Sequence, residues 1–224
     1  LRSPSATSGR LRRQWDRRSL QTSAATREVE YTELLRKSVP AGVAHTGGDK
    51  FDEHLLGVRA WLKDWGAAEH LQAAGLFHSI YGTEGFQGHK LDIERRAEVR
   101  AVIGAEAEQL VWCFCVVDRS TVDATVAIAA ESGGGYAAVA AAAGNEGVRF
   151  RARPELGAFD IPIASEAVWV DFITLTLADW LEQVEGAANT ENAQWGWALG
   201  DAWGYRREAY AQMARLLGGV AAES

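Results

Sequence analysis

From Phe51 the apolar positions fall at Phe51, Leu55, Val58, Leu62 and Trp65, in steps of 4, 3, 4 and 3. That spacing describes one face of a helix of about four turns. Gly66 follows where a C′ glycine ends a helix. A second apolar set, Leu71, Ala74, Leu76, Phe77 and Ile80, predicts a helix over 67–81 that stops at Gly82. Upstream, 28–38 reads as a short helix ending before Pro40. Downstream, Asp92 is placed to cap a helix to Ile103, Gly104 opens a longer one through Val117, and Ser120 is placed to cap another to about Ala130. Residues 131–163 lose the helical period. Three consecutive glycines, an alanine run and two prolines read as an irregular excursion with a short hairpin at 148–163. Ser165 then starts a strongly apolar helix ending before Gly186. A polar, Trp- and Gly-containing loop fills 187–204, and a last helix runs from Tyr205 to Leu217, closed by Gly218 and Gly219. Strands do not alternate with helices, so the fold class is all-α.

At 224 residues the chain is long enough for one sizeable core. The expected organisation is a single helical domain over 28–219, with 131–164 as an irregular insertion and 220–224 as a tail. Of the nine Trp, Trp61, Trp65, Trp112, Trp169 and Trp180 fall in apolar periodic stretches and are expected in the core. Trp195, Trp197 and Trp203, in loop 195–203, are expected to form a surface patch or a protein-partner contact. The net charge of −7 gives the domain no overall attraction to nucleic acid or an anionic membrane. Residues 1–27 differ, with seven Arg against one acidic residue, Asp16. Their Arg- and Ser-rich, acid-poor composition is that of a transit peptide to mitochondrion or chloroplast. A disordered basic tail on a cytoplasmic protein has the same composition. Two cysteines, Cys113 and Cys115, exclude a disulfide scaffold and read as reduced, buried groups. No apolar run reaches the length of a membrane span.

The chemistry follows from the helix pair around Gly66. His54 lies twelve residues before that glycine and His78 twelve after it, so an antiparallel hairpin sets the two imidazoles level. His54 shares a stripe with Val58, Trp61 and Trp65. His78 shares one with Leu71, Ala74 and Gly75, whose small size lets the backbones approach. Two level imidazoles bind a divalent transition metal when a carboxylate completes the set. Asp179, among Leu175, Leu177, Trp180 and Leu181, is the carboxylate that an apolar setting makes most costly to leave unpaired. Mn, Fe or Zn suits such a set, and a buried hydrogen-bonded His–Asp network without metal is the alternative.

The segments HTGGDKFDEHLLGV, AAGLFHS and LTLADWLEQ resemble the HD-domain superfamily, and most of all the alarmone hydrolase domain of the RelA/SpoT type. The resemblance covers roughly 42–118 and 166–185, including Gly104-Ala105-Glu106 ahead of the next helix. It puts His54 on the family's first His, His78 on the second and Asp179 on the last Asp. It implies an HD-like bundle and a metal-dependent phosphohydrolase acting on a nucleotide or another small phosphorylated molecule. His45 falls where the family has an Arg over the base, so His45 and Tyr81 are the implied substrate-binding residues. The run HSIYGTEGF is also similar to the core of an uncharacterised family. The departures are specific. Ser79 replaces the Asp of the His-Asp pair and is a poor fourth metal ligand. Gly82 and Thr83 replace the acidic pair that orients water, leaving Glu84, with Thr83 beside it, as the candidate catalytic group from a shifted position. A non-catalytic accessory subunit of an organellar complex and a non-haem iron oxygenase therefore stand as alternatives. His70 and His89 read as ordinary packed or exposed residues, Asp118-Arg119 as a local ion pair, Asp171 as part of a solvated face, and Arg206-Arg207 as surface charge.

Overall fold

A computed structural model describes residues 26–39, 50–86, 90–191 and 196–223. Its helices are α1 (26–38), α2 (Phe51–Asp64), α3 (Glu69–Phe77), α4 (Arg96–Ile103), α5 (Ala105–Val116), α6 (Arg119–Glu131), α7 (Gly135–Ala143), α8 (Glu166–Ala188) and α9 (Arg207–Glu223). One two-stranded antiparallel sheet, β1 (Arg149–Arg151) with β2 (Asp160–Pro162), interrupts them, and Phe150 opposite Ile161 forms its buried face. The fold is all-α.

The α2–α3 turn forms as the sequence dictates. Gly66 takes φ +72°, its N–H donates to the Lys63 carbonyl at 3.0 Å, and the Ala67 N–H donates to the Leu62 carbonyl at 2.9 Å. Those two bonds satisfy carbonyls that the end of a helix leaves unpaired. The returning helix packs closely because Gly75 lacks a side chain: a Cβ there would lie 2.5 Å from Leu62 Cδ1 and 3.6 Å from Arg59 Cα. α8 packs against α2, α3, α5 and α9, and α6 also packs on α9. Leu55, Val58, Leu62, Phe77, Phe114, Phe172, Ile173 and Leu175 fill the space between them.

Several boundaries differ from the sequence expectations. α3 ends at Phe77 and residues 78–81 continue as tight turns, with the Ile80 N–H on the Phe77 carbonyl. Asp118, not Ser120, caps α6, its carboxylate accepting from the Ser120 N–H at 2.9 Å. The alanine run inside the expected excursion is helix α7, because alanine has the highest helix propensity and needs no amphipathic pattern to form one. α8 continues to Ala188, and α9 runs through Gly218 and Gly219 into the expected tail. Trp61 and Trp65 are 42% and 40% exposed, paired ring to ring on the outer side of α2 rather than in the core. Trp112 is half-buried against Phe159, and Trp169 and Trp180 are buried as expected. Among the described residues no single helix is long and apolar enough to cross a membrane.

Candidate metal centre

α2, α3 and α8 bring three donors to one point. His54 lies in the first turn of α2 and His78 at the C-cap of α3, and both are buried. Asp179, in the middle of α8, is buried opposite them. His54 Nε2 is 3.2 Å from His78 Nε2, and each of these nitrogens is 3.1 Å from Asp179 Oδ1. The three residues form a group that could hold a metal ion. The level imidazoles expected from the hairpin are present.

The outer ring nitrogens decide what this triangle can do. His78 Nδ1–H donates to the Gly75 carbonyl at 2.8 Å, and His54 Nδ1–H donates to the Glu182 carboxylate. Both acceptors lack a proton to give, so each Nδ1 carries hydrogen and each neutral ring turns an Nε2 lone pair to the centre. Three electron-rich atoms then face one another, which calls for a cation between them. A proton serves when no metal is bound. Burial disfavours a charged His54, but hydrogen bonds and charge from Asp179 and Glu182 outweigh it and raise its pKa to about 9. Burial likewise opposes the Asp179 charge, and hydrogen bonds with His54 and His78 overcome it, holding the carboxyl well below its usual range.

A metal fits the same position. Bonds of about 2.0–2.1 Å at angles between octahedral and tetrahedral separate neighbouring donors by roughly 2.8–3.4 Å. All three edges here fall inside that span. Charge-assisted N–H···O bonds usually close to about 2.7–2.9 Å, shorter than either imidazole–carboxylate edge.

Supporting groups hold the donors in place. Gln183 Nε2 donates to Asp179 Oδ1 at 3.1 Å. The Cys115 thiol, whose pKa burial pushes up to about 12, donates to the His78 carbonyl at 3.0 Å, and the Phe114 ring meets the His78 ring edge-on. Glu182 reaches His54 across a gap that only glycine leaves open, since a Cβ at Gly57 would lie 2.5 Å from Glu182 Oε1 and 2.8 Å from its Cγ. Beside Asp179 lies a cavity of about 30 Å³, lined among others by Ser79, Thr83, Arg119, Gln183 and Tyr205. It has room for one or two water-sized groups.

The other expected site residues divide. Ser79 and Thr83 line this cavity, and Thr83 Oγ1 also accepts from the Phe86 N–H at 3.0 Å. Glu84 does not reach it. Its carboxylate accepts the Arg119 backbone N–H at 3.0 Å, an unpaired donor at the start of α6, and it lines a different cavity with Tyr81. Tyr81 turns away as well, its hydroxyl donating to Glu108 at 3.3 Å. His45, His89 and Trp195 lie outside the described residues. His70 and Asp171, expected to be separate and unremarkable, pair at 2.7 Å between α3 and α8. Arg206 is no surface charge, being largely buried and forked onto Asp123. Arg119 is likewise not paired with its neighbour Asp118: its guanidinium points to Asp179 Oδ2 at 3.7 Å. Sequence reading missed Glu182, Gln183 and Arg119 as parts of the centre. Glu182 and Gln183 carried a usable signal, three and four residues after Asp179 on one helix face.

Residues 34–119 match the model of a family described as a domain of unknown function, DUF6817. No curated protein and no solved structure matches the chain. The DUF6817 match contains His54, His78, Gly57, Gly75 and Cys115, and its last residue is Arg119. Asp179, Glu182 and Gln183 lie beyond it.

Proposed function

We propose that this protein is a variant HD-type metal-dependent phosphohydrolase acting on a nucleotide or another small phosphorylated molecule. Three HD-like motifs in order support the reading, and one observation carries it: two imidazole Nε2 atoms and a carboxylate oxygen, tied from behind, converge at the mutual spacing of metal donors. His54, His78 and Asp179 would hold Mn(II), Fe(II) or Zn(II). A divalent ion there would supply an activated water and polarise a phosphoryl oxygen. Glu182 and the Gly75 carbonyl fix the ring orientations, as outer partners of metal-bound histidines do. Gln183 holds Asp179. Thr83 and Ser79 present hydroxyls to the cavity. Asp179 is the one carboxylate among the described residues of the cavity wall, and Glu84, held by the start of α6, does not reach it. Replacing His54 or Asp179 by Ala should remove stoichiometric metal and phosphate release together. Turnover that persists in both variants rejects the proposal.

The engagement of Glu84 by α6 favours a second reading, a metal-binding accessory module without turnover. Stoichiometric metal with no phosphate release from a panel of nucleotides and phosphoesters would select it. A requirement for iron and dioxygen would select the oxygenase. The exposed Trp203 and half-buried Trp197 keep loop 195–203 as the proposed partner surface in either case. An organellar address is proposed on composition alone, and residues 1–25 lie outside the described residues.

A further inference from the structure

We infer that the cavity beside Asp179 is an oxyanion subsite and that Arg119 is the residue that reads the anion. The inference rests on the metal reading above and adds the charge of the group that binds next to the metal.

Arg119 is the first residue of α6. The bond from its backbone N–H to Glu84 pins it there, and its side chain, 12% exposed, turns inward to line the cavity. Its guanidinium lies over the Phe114 ring, 5.4 Å from the centroid. Among the described residues it has one carboxylate partner, Asp179 Oδ2, at 3.7 Å, which is beyond hydrogen-bonding distance. A guanidinium carries five N–H donors in a rigid fork, and burying one is costly unless those donors are used. The neighbouring Arg206 shows the satisfied alternative, with two nitrogens on the two oxygens of Asp123. Arg119 keeps its fork for something that enters the cavity.

Formal charge gives the sign of the ligand. A divalent ion and Arg119 together bring three positive charges against the two carboxylates, Asp179 and Glu182, and leave one positive charge over. Arg206 and Asp123 cancel each other and do not change the sum. An anion bound against the metal and Arg119 restores neutrality, and the fork suits the paired oxygens of a phosphoryl or carboxylate group. The small cavity admits only the anionic end of a larger molecule.

The test uses the full chain loaded with Mn(II), titrated with inorganic phosphate and separately with acetate, with binding followed by calorimetry and by the Mn(II) magnetic resonance signal. Wild type is expected to bind one anion. Arg119→Gln is expected to keep its metal and weaken that binding by about 10- to 100-fold, the scale of a charge-assisted hydrogen bond. Arg119→Lys, which keeps charge but loses the fork, should fall between, and it serves if Arg119→Gln does not fold. Preference for phosphate supports a phosphoryl substrate, and preference for acetate supports a carboxylate substrate at the same subsite. Metal-loaded wild type that binds neither anion overturns the inference, as does a metal-loaded variant that binds as wild type does. A wild-type chain that takes up no metal refutes the metal reading, and this inference with it.

Discussion

Gly57→Ala separates the metal centre from the fold it stands in. The added Cβ would sit 2.5, 2.8 and 2.9 Å from Glu182 Oε1, Cγ and Cδ. Three atoms of the side chain are involved, so rotating the carboxylate tip alone does not relieve the clash, and Glu182 must leave His54 Nδ1. The lost charge-assisted hydrogen bond is worth about 1.5–3 kcal/mol, and loss of an outer partner to a metal-bound His typically weakens metal binding by about 10- to 100-fold. Folding loses less, because alanine is favoured over glycine by about 1 kcal/mol inside a helix, and Gly57 is mid-way along α2. The expectation is therefore a 10- to 100-fold loss of affinity with metal-free stability about 0.5–2 kcal/mol below wild type. Competition against a chromophoric chelator measures the first, and urea denaturation in excess chelator the second. Glu182→Gln should show a smaller loss of affinity, since the amide still accepts the hydrogen bond without the charge. Affinity unchanged in both variants would refute the assignment of Glu182 as the outer partner of a metal ligand.

Gly75→Ala acts on the hairpin itself. Its Cβ meets Leu62 Cδ1 at 2.5 Å, and urea midpoints should report a loss of about 1–3 kcal/mol from overpacking. Glu108 contributes to the acid limb of stability: burial raises its pKa, but hydrogen bonds and charge from Arg96 and Arg100 more than offset this and lower it below the ordinary 4.5. A lowered carboxyl pKa contributes stability that is present above 4.5 and lost as the pH falls through the folded value. Urea midpoints should therefore drop below pH 4.5, and less steeply in Glu108→Gln. Removing metal with a chelator should lower the thermal midpoint, by an amount equivalent to about 2.7 kcal/mol if metal had been present at a hundred times its dissociation constant. Calorimetry with and without metal checks this.

The part of the structure nearest the chemistry was the most legible. The α2–α3 hairpin follows from one apolar period and one glycine with positive φ, and equal counts on either side of Gly66 place the imidazoles together. Asp179 was legible because an ionised group among apolar neighbours needs a partner. What escaped was long-range. Arg119 follows Asp118 and looks paired with it, yet its charge partner is sixty positions away on another helix. Glu84 has the residue type of a base, but the start of α6 offers its carboxylate a closer donor. Helix α7 was hidden because an alanine run carries no amphipathic period, and Trp61 and Trp65 extend the α2 stripe onto a side where both rings stay exposed.

Crystals grown with Mn(II) or Zn(II) and measured at the metal's absorption edge test the centre most directly. One anomalous peak is expected at about 2.0–2.2 Å from His54 Nε2, His78 Nε2 and an Asp179 oxygen together. No peak there, with the three side chains hydrogen-bonded only to one another at saturating metal, would contradict the metal centre and leave a buried His–Asp network in its place.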